Sequence, residues 1–217
     1  MKWMRYKLIL FDMDDTLIAG RTIYEVADRK GFRKEVDEIV SMNITNYEKT
    51  ILIARLLKGM RVEEFLKIFR AIPLNPHVDE VVEKLKKRGL KMGIISNSYD
   101  IAVDDLKKRL GMDFGISNKL VVKEGIITGE VIPHNKNPSQ DIDDCRSFSV
   151  CKRDALLQVC KDLGIRPDET IAVGDGNVDR FMLEVAGLGI AYGKNSYLSN
   201  FADISINDMR EILKYID

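Results

Sequence analysis

The sequence predicts an α/β protein, an open and mostly parallel sheet with a bundle of short helices inserted after its first strand. Three observations carry that prediction. The continuous apolar run Lys7-Leu-Ile-Leu-Phe11 suits a strand buried on both faces. No strand signal follows between 22 and 71, only helical spacing punctuated by Gly31 and Gly59. Beyond Pro76 strand-like and helix-like segments alternate, the pattern of a parallel sheet joined by crossover helices.

Taken in order, the insert is expected to hold helices at 23–29, 33–41, 46–58 and 62–69. A helix at 78–88 closes at Gly89, a strand covers 90–95, and a helix at 101–110 closes at Gly111. Segments 120–123 and 126–131 read as a hairpin across Glu124-Gly125. Residues 133–149, rich in Asn, Ser and Asp, read as a long loop. A helix at 152–163, a strand at 170–173, a helix at 177–186, a strand at 188–191 and a helix near 206–215 complete the chain. The division that follows is 1–16 with 74–217 as an α/β core domain and 17–73 as a helical domain.

The 217 residues carry 34 Lys+Arg and 34 Asp+Glu, a formal net charge of zero that argues against a nucleic-acid or membrane surface as main partner. Hydrophobic residues at 45% are enough for a packed core. Apolar runs are too short for a signal-peptide core or a membrane span, so a soluble cytoplasmic monomer or homodimer is expected. Cys145, Cys151 and Cys160 are odd in number and lack CxxC spacing, which argues against a structural zinc site or a disulfide framework.

The chemistry is read from where the strands end. Phe11 gives way to Asp12-Met-Asp-Asp-Thr16, Ile95 to Ser96-Asn-Ser98, and Val173 to Gly174-Asp-Gly-Asn-Val-Asp179. Carboxyl ends of parallel strands share one rim, where ligands bind. Carboxylates gathered there suit Mg²⁺, a hard cation that prefers oxygen ligands. A cation also answers a physical need, because an aspartate about 4 Å from a phosphate is repelled by about 4 kcal/mol per pair of unit charges at a surface-like dielectric. Lys152 precedes Leu156, Val159, Cys160 and Leu163 at helical spacing and so begins an inward face. Asp179 stands in the same relation to Met182, Leu183 and Ala186. Each feature alone has a plainer reading, as an acidic turn, a snorkelling lysine or a helix cap. Their order along the chain favours the site.

These residues resemble the haloacid dehalogenase superfamily, and within it the phosphoserine phosphatase branch. The resemblance runs through Leu8-Ile-Leu-Phe-Asp-Met-Asp-Asp-Thr-Leu17, Asp100-Ile-Ala-Val103, Gly111-Met-Asp-Phe114, Val173-Gly-Asp-Gly176 and Ala186-Gly-Leu-Gly-Ile-Ala191. It implies a Rossmann-like three-layer core with the helical insert as a mobile cap. It also implies Asp12 as the nucleophile that forms an aspartyl-phosphate and Asp14 as general acid and base. Ser96 and Lys152 would bind the phosphoryl group. Mg²⁺ would be held by Asp12, the Asp14 main-chain carbonyl and Asp175, with Asp179 in support.

The departures concern the substrate. The branch resembles itself in placing an acid where this chain has Arg21, to meet a substrate amine, and an arginine in the cap, where this chain has Ala54 with Arg55 beside it. Asn97-Ser98 replaces two glycines, and Val178 replaces an asparagine. Arg21 facing an ammonium would repel it. The expected activity is therefore Mg²⁺-dependent hydrolysis of a small phosphorylated metabolite other than phosphoserine, bound by Ser96, Asn97, Arg21, Arg55 and Lys152. Phosphoserine hydrolysis, and a phosphotransferase or mutase on the same scaffold, are the alternatives. A receiver-like signalling domain is a remote one, since receivers are about half this length.

Overall fold

Alternate side chains of the first strand feed two different cores. β1 (Leu8–Phe11) is wholly buried; Ile9 and Phe11 join one apolar cluster, while Leu8 and Leu10 join another on the opposite face. The computed structural model describes residues 6–216. Residues 1–5 and 217 of the expected core domain therefore lie outside the described residues.

After β1 the chain forms α1 (Thr22–Lys30), α2 (Arg33–Ser41), α3 (Asn46–Leu56) and α4 (Val62–Arg70), then α5 (Val78–Lys87). α3 starts with a capping box: Thr45 accepts from the Glu48 amide while the Glu48 carboxylate takes the Thr45 amide. β2 (Lys91–Tyr99), α6 (Asp100–Leu110), β3 (Phe114–Lys123) and β4 (Ile126–Ile132) follow. After the long loop come α7 (Lys152–Leu163), β5 (Thr170–Gly174), α8 (Arg180–Leu183), β6 (Leu188–Tyr192) and β7 (Ile204–Ile206). Among the described residues no helix is long and apolar enough to cross a membrane.

The strands lie in the order β4-β3-β2-β1-β5-β6-β7, all parallel except the β3–β4 hairpin. β1 is therefore flanked by β2 and β5, which brings the ends of the three sequence-predicted strands side by side. Helices α5 and α6 cover one face, α7 and α8 the other. Val26, Ala54, Phe65 and Phe69 of α1, α3 and α4, with Leu57 just past the end of α3, belong to the same apolar cluster as Ile9 and Phe11, so the inserted helices share the core of the sheet. They also reach the hairpin, where the Gly59 amide donates to Ile127 and the Val62 amide to Gly125.

The structure corrects several expectations; one is the strand foreseen at 120–123, which begins already at Phe114, where it pairs with β2. The helix foreseen at 177–186 breaks into a 3₁₀ turn (Asn177–Asp179) and the short α8, because the chain must turn at once into β6. The last helix is a 3₁₀ stretch, Met209–Tyr215, preceded by β7, an edge strand of three residues too short to announce itself. β2 runs four residues past Ile95, taking in Ser96 and Asn97. Cys145 and Cys151 form a disulfide with a Cα–Cα distance of 5.0 Å, closing a small ring of the long loop just before α7. Neither the odd count nor the spacing gave a reason to expect it.

The corner between α8 and β6 leaves no room for a side chain at Gly187. A Cβ there would lie 2.1 Å from the Asp168 carbonyl oxygen, a backbone atom that cannot rotate away. Gly187→Ala should therefore cost about 1–3 kcal/mol of stability. Urea unfolding reads that loss directly, and a change under about 0.5 kcal/mol would refute the steric account.

Candidate active site

Parallel pairing of β1 with β5 puts the Asp12 amide 2.9 Å from the Val173 carbonyl, so the two acidic loops start shoulder to shoulder. Between them lies a pocket of about 680 Å³. Its core side presents Asp12, Asp14, Ser96, Asn97, Lys152, Asp175 and Asp179, and its helical side presents Tyr24, Val40, Asn46, Thr50 and Ile53.

Lys152 is the first residue of α7 and is completely buried. Its Nζ donates to Asp12 Oδ1 and to Asp179 Oδ1, each at 2.5 Å. Burial alone would lower the ammonium's pKa, but the two carboxylates more than offset it and hold the lysine charged. The second oxygen of Asp179 accepts from the Asp175 and Gly176 amides at 3.1 and 2.9 Å. Asp179 thus fixes both the lysine and the loop. Gly174 makes this possible, since a Cβ there would fall 2.3 Å from the Asp179 carboxylate carbon.

Asp14 serves α1 from a distance. Its Oδ1 accepts the Thr22 amide at 2.8 Å and the Thr22 hydroxyl at 2.5 Å, so an acid eight residues upstream satisfies a helix N-terminus whose preceding residue, Arg21, makes no side-chain cap. Burial raises the Asp14 pKa, and the Thr22 contacts pull part of that shift back. The turn carrying Asp14 is clamped by Asn75, whose Nδ2 reaches the carbonyls of Asp15, Thr16 and Ile18 at 2.9, 2.9 and 3.2 Å. Asp15 itself has a φ of 58°, tolerable for an aspartate in a tight turn.

Thr16 donates to Asp175 Oδ1 at 3.0 Å, and Asn195 Nδ2 donates to the Asp175 carbonyl at 2.9 Å. Burial, then Asp179, pushes the Asp175 carboxyl up to about 6. Burial likewise drives Asp12 well above its ordinary value, Lys152 only partly restoring it. Ser96 Oγ accepts from the Ser98 amide at 3.1 Å, and its own proton remains available to the pocket.

One oxygen from each of Asp12, Asp175 and Asp179 lies within 4.8 Å of the others. Four carboxylates line the pocket against Lys152 and Arg21, and Arg21 is already paired with Asp15 at 2.8 Å. Hard oxygen donors, excess negative charge and a carboxyl displaced upward by burial together fit a divalent cation of the Mg²⁺ type. Asp12 and Asp175 each keep an oxygen uncommitted, whereas both oxygens of Asp179 are engaged.

Of the sequence-predicted residues, Asp12, Asp14, Arg21, Ser96, Asn97, Lys152, Asp175 and Asp179 all line the pocket. Arg55 does not: it is exposed, and its backbone packs against Gly129 of the hairpin. The pocket stripe of α3 is Asn46, Thr50 and Ile53, and a residue two positions beyond Ile53 lies about 200° around the helix. Sequence reasoning missed that stripe, Tyr24, Thr22 and Asn195. The i, i+4, i+7 spacing of the stripe was readable, but nothing in it distinguishes a pocket wall from a core face.

A family model described as haloacid dehalogenase-like hydrolase matches residues 6–187. The phosphoserine phosphatase of Methanocaldococcus jannaschii is 36% identical over 220 residues, covering 97% of each chain. That of Polaromonas sp. is 34% identical, covering 96% of this chain and 88% of the relative. A solved structure described as a phospho-aspartyl intermediate analogue of phosphoserine phosphatase superposes with a TM-score of 0.80 at 35% identity, covering 98% of this chain and 99% of its own.

The raised Asp175 carboxyl has a thermodynamic consequence. Without a cation this group favours folding fully below its ordinary value of 3.8, and the contribution is lost as pH rises through about 6. A bound cation favours the ionised form and reverses that loss. Mg²⁺ should therefore raise the melting temperature more at a pH of about 7.5 than at about 5. An equal or smaller rise at the higher pH would count against a carboxylate cation site.

Proposed function

The chain belongs to the haloacid dehalogenase-like hydrolases and is a phosphoric monoester hydrolase, and on that premise we propose that it hydrolyses phosphoserine through an aspartyl-phosphate on Asp12, with Mg²⁺ as cofactor. The observation that carries the phosphoryl chemistry is the buried Asp12 held against Lys152 at the floor of the pocket. The phosphoserine assignment is supported by whole-length relatives of that name.

The roles proposed for the residues are these. Asp12 attacks phosphorus as the bond to the ester oxygen breaks. Asp14, two residues on and raised by burial, gives its proton to the departing oxygen. Water then attacks the aspartyl-phosphate, Asp14 takes a proton back, and inorganic phosphate leaves. Lys152 and Ser96 hold the phosphoryl oxygens throughout. Asp12 and Asp175 would hold Mg²⁺, with Asp179 keeping their loop in place; the cation, when bound, offsets the charge between nucleophile and phosphate. A phosphorylated metabolite as substrate fits action in the cytoplasm.

The objection to phosphoserine rested on Arg21 as a free positive charge. In the structure its guanidinium is paired with Asp15, so the cation that lines the pocket has a carboxylate beside it. Repulsion of an ammonium is correspondingly weakened, and the guanidinium edge can still meet a substrate carboxylate. A second reading, a carboxylated phosphate ester lacking the amine, is favoured because, among the described residues, no acid lines the helical wall of the pocket.

Phosphate release from phosphoserine, dependent on Mg²⁺ and needing no added acceptor, is the expected result. Asp12→Asn should lower kcat on the order of 10⁴-fold or more, with the circular dichroism of the folded protein retained. Turnover of phosphoglycolate but not of phosphoserine would transfer the assignment to the second reading. Release only in the presence of an acceptor alcohol would make the protein a phosphotransferase.

A further inference from the structure

A buried polar network joins the helical wall of the pocket to the strand that carries Ser96. Its centre is Ser149, fully buried in the long loop two residues before Cys151. Ser149 Oγ lies 2.9 Å from Asn118 Nδ2, 3.0 Å from Asn97 Oδ1 and 3.0 Å from Thr50 Oγ1. Asn118 belongs to β3, Asn97 to β2 and Thr50 to the pocket stripe of α3.

Three of the four side chains have hydrogen bonds whose direction is fixed. Backbone amides only donate, so the His134 amide on Asn118 Oδ1 (3.2 Å) and the Val150 amide on Asn97 Oδ1 (2.8 Å) orient both side-chain amides. Asn118 Nδ2 must then donate to Ser149. Asn97 Oδ1 can only accept, so the single Ser149 proton points to it. The contact at 3.0 Å with Thr50 then calls on the proton of Thr50, which the Asn46 carbonyl at 2.9 Å shares. Among the described residues the buried Asn97 Nδ2 has no partner, which leaves the Asn97 side chain held by its oxygen, through Ser149 and Val150.

We infer that Ser149 is a positioning residue that registers α3, which meets the leaving group, against the end of β2, where Ser96 and Asn97 face the phosphoryl group. This rests on the phosphatase reading of the pocket but not on which ester is hydrolysed. Half-satisfied buried networks are costly, so loss of any one member should be felt by the others.

Inorganic phosphate, which has no leaving group, reads the β2 end of the pocket. Its dissociation constant is measured by calorimetry at 25 °C with Mg²⁺ for wild type, Thr50→Val, Ser149→Ala and the double variant. Each single change should weaken phosphate about threefold to tenfold, and the double variant should bind no more weakly than Ser149→Ala alone. Thr50→Ser, which keeps the hydroxyl, should bind like wild type. Additive losses would mean that Thr50 touches phosphate directly, and unchanged binding in Ser149→Ala with a lower melting temperature would mean a purely structural role; either overturns the inference. If Ser149→Ala does not fold, Thr50→Val binding phosphate as wild type does overturns it equally. A wild type that binds no phosphate overturns the phosphatase reading along with it.

Discussion

A single buried ammonium holds the two halves of the site together. Lys152 comes from α7, Asp12 from the end of β1 and Asp179 from the turn after β5, and none of the three could stay buried without the others. Leaving one of these charges unpaired in the interior costs about 3–5 kcal/mol, a large part of the stability of a domain this size. The packing around them follows from that constraint. α7 must begin where Lys152 can reach both acids, and Gly174 must lack a side chain so that Asp179 can lie against the strand.

Much of this was visible in the sequence, for a topological reason. An uninterrupted apolar strand followed by an abrupt polar cluster reports where a central parallel strand ends, and β1, β2 and β5 are neighbours in the sheet. Asp12, Ser96 and Asp175 could thus be assembled without knowing any distance. Lys152 and Asp179 were legible because each begins an apolar helical stripe. Residues whose role depends on a partner chosen in three dimensions were not legible. Thr22 matters because Asp14 happens to lie over its amide, and Ser149 because four separate segments meet around it. Arg55 failed in the opposite sense, being named by its neighbourhood in the chain when the helix turns it outward.

Arg21 illustrates a related limit. Read as an isolated charge, it argues against a zwitterionic substrate. Read with Asp15, it is one half of an ion pair, and its electrostatic effect on a ligand depends on both partners. Formal charge counts along a sequence cannot supply that information, because the pairing is made by a turn whose third residue adopts a left-handed backbone.

The Asn75 amide that grips three carbonyls of the acidic turn belongs to the segment leading out of the inserted helices. The same segment pairs Leu74 with Ile18 and lends the Pro73 carbonyl to the Ala19 amide. The two ends of the insertion are therefore stitched to each other across the loop that carries Asp14. Exchanging the helices for those of a relative, as a modular view of such enzymes would invite, cannot be done cleanly at these junctions: a chimaera joined there would carry the seam of the graft into the turn that holds the proposed proton donor.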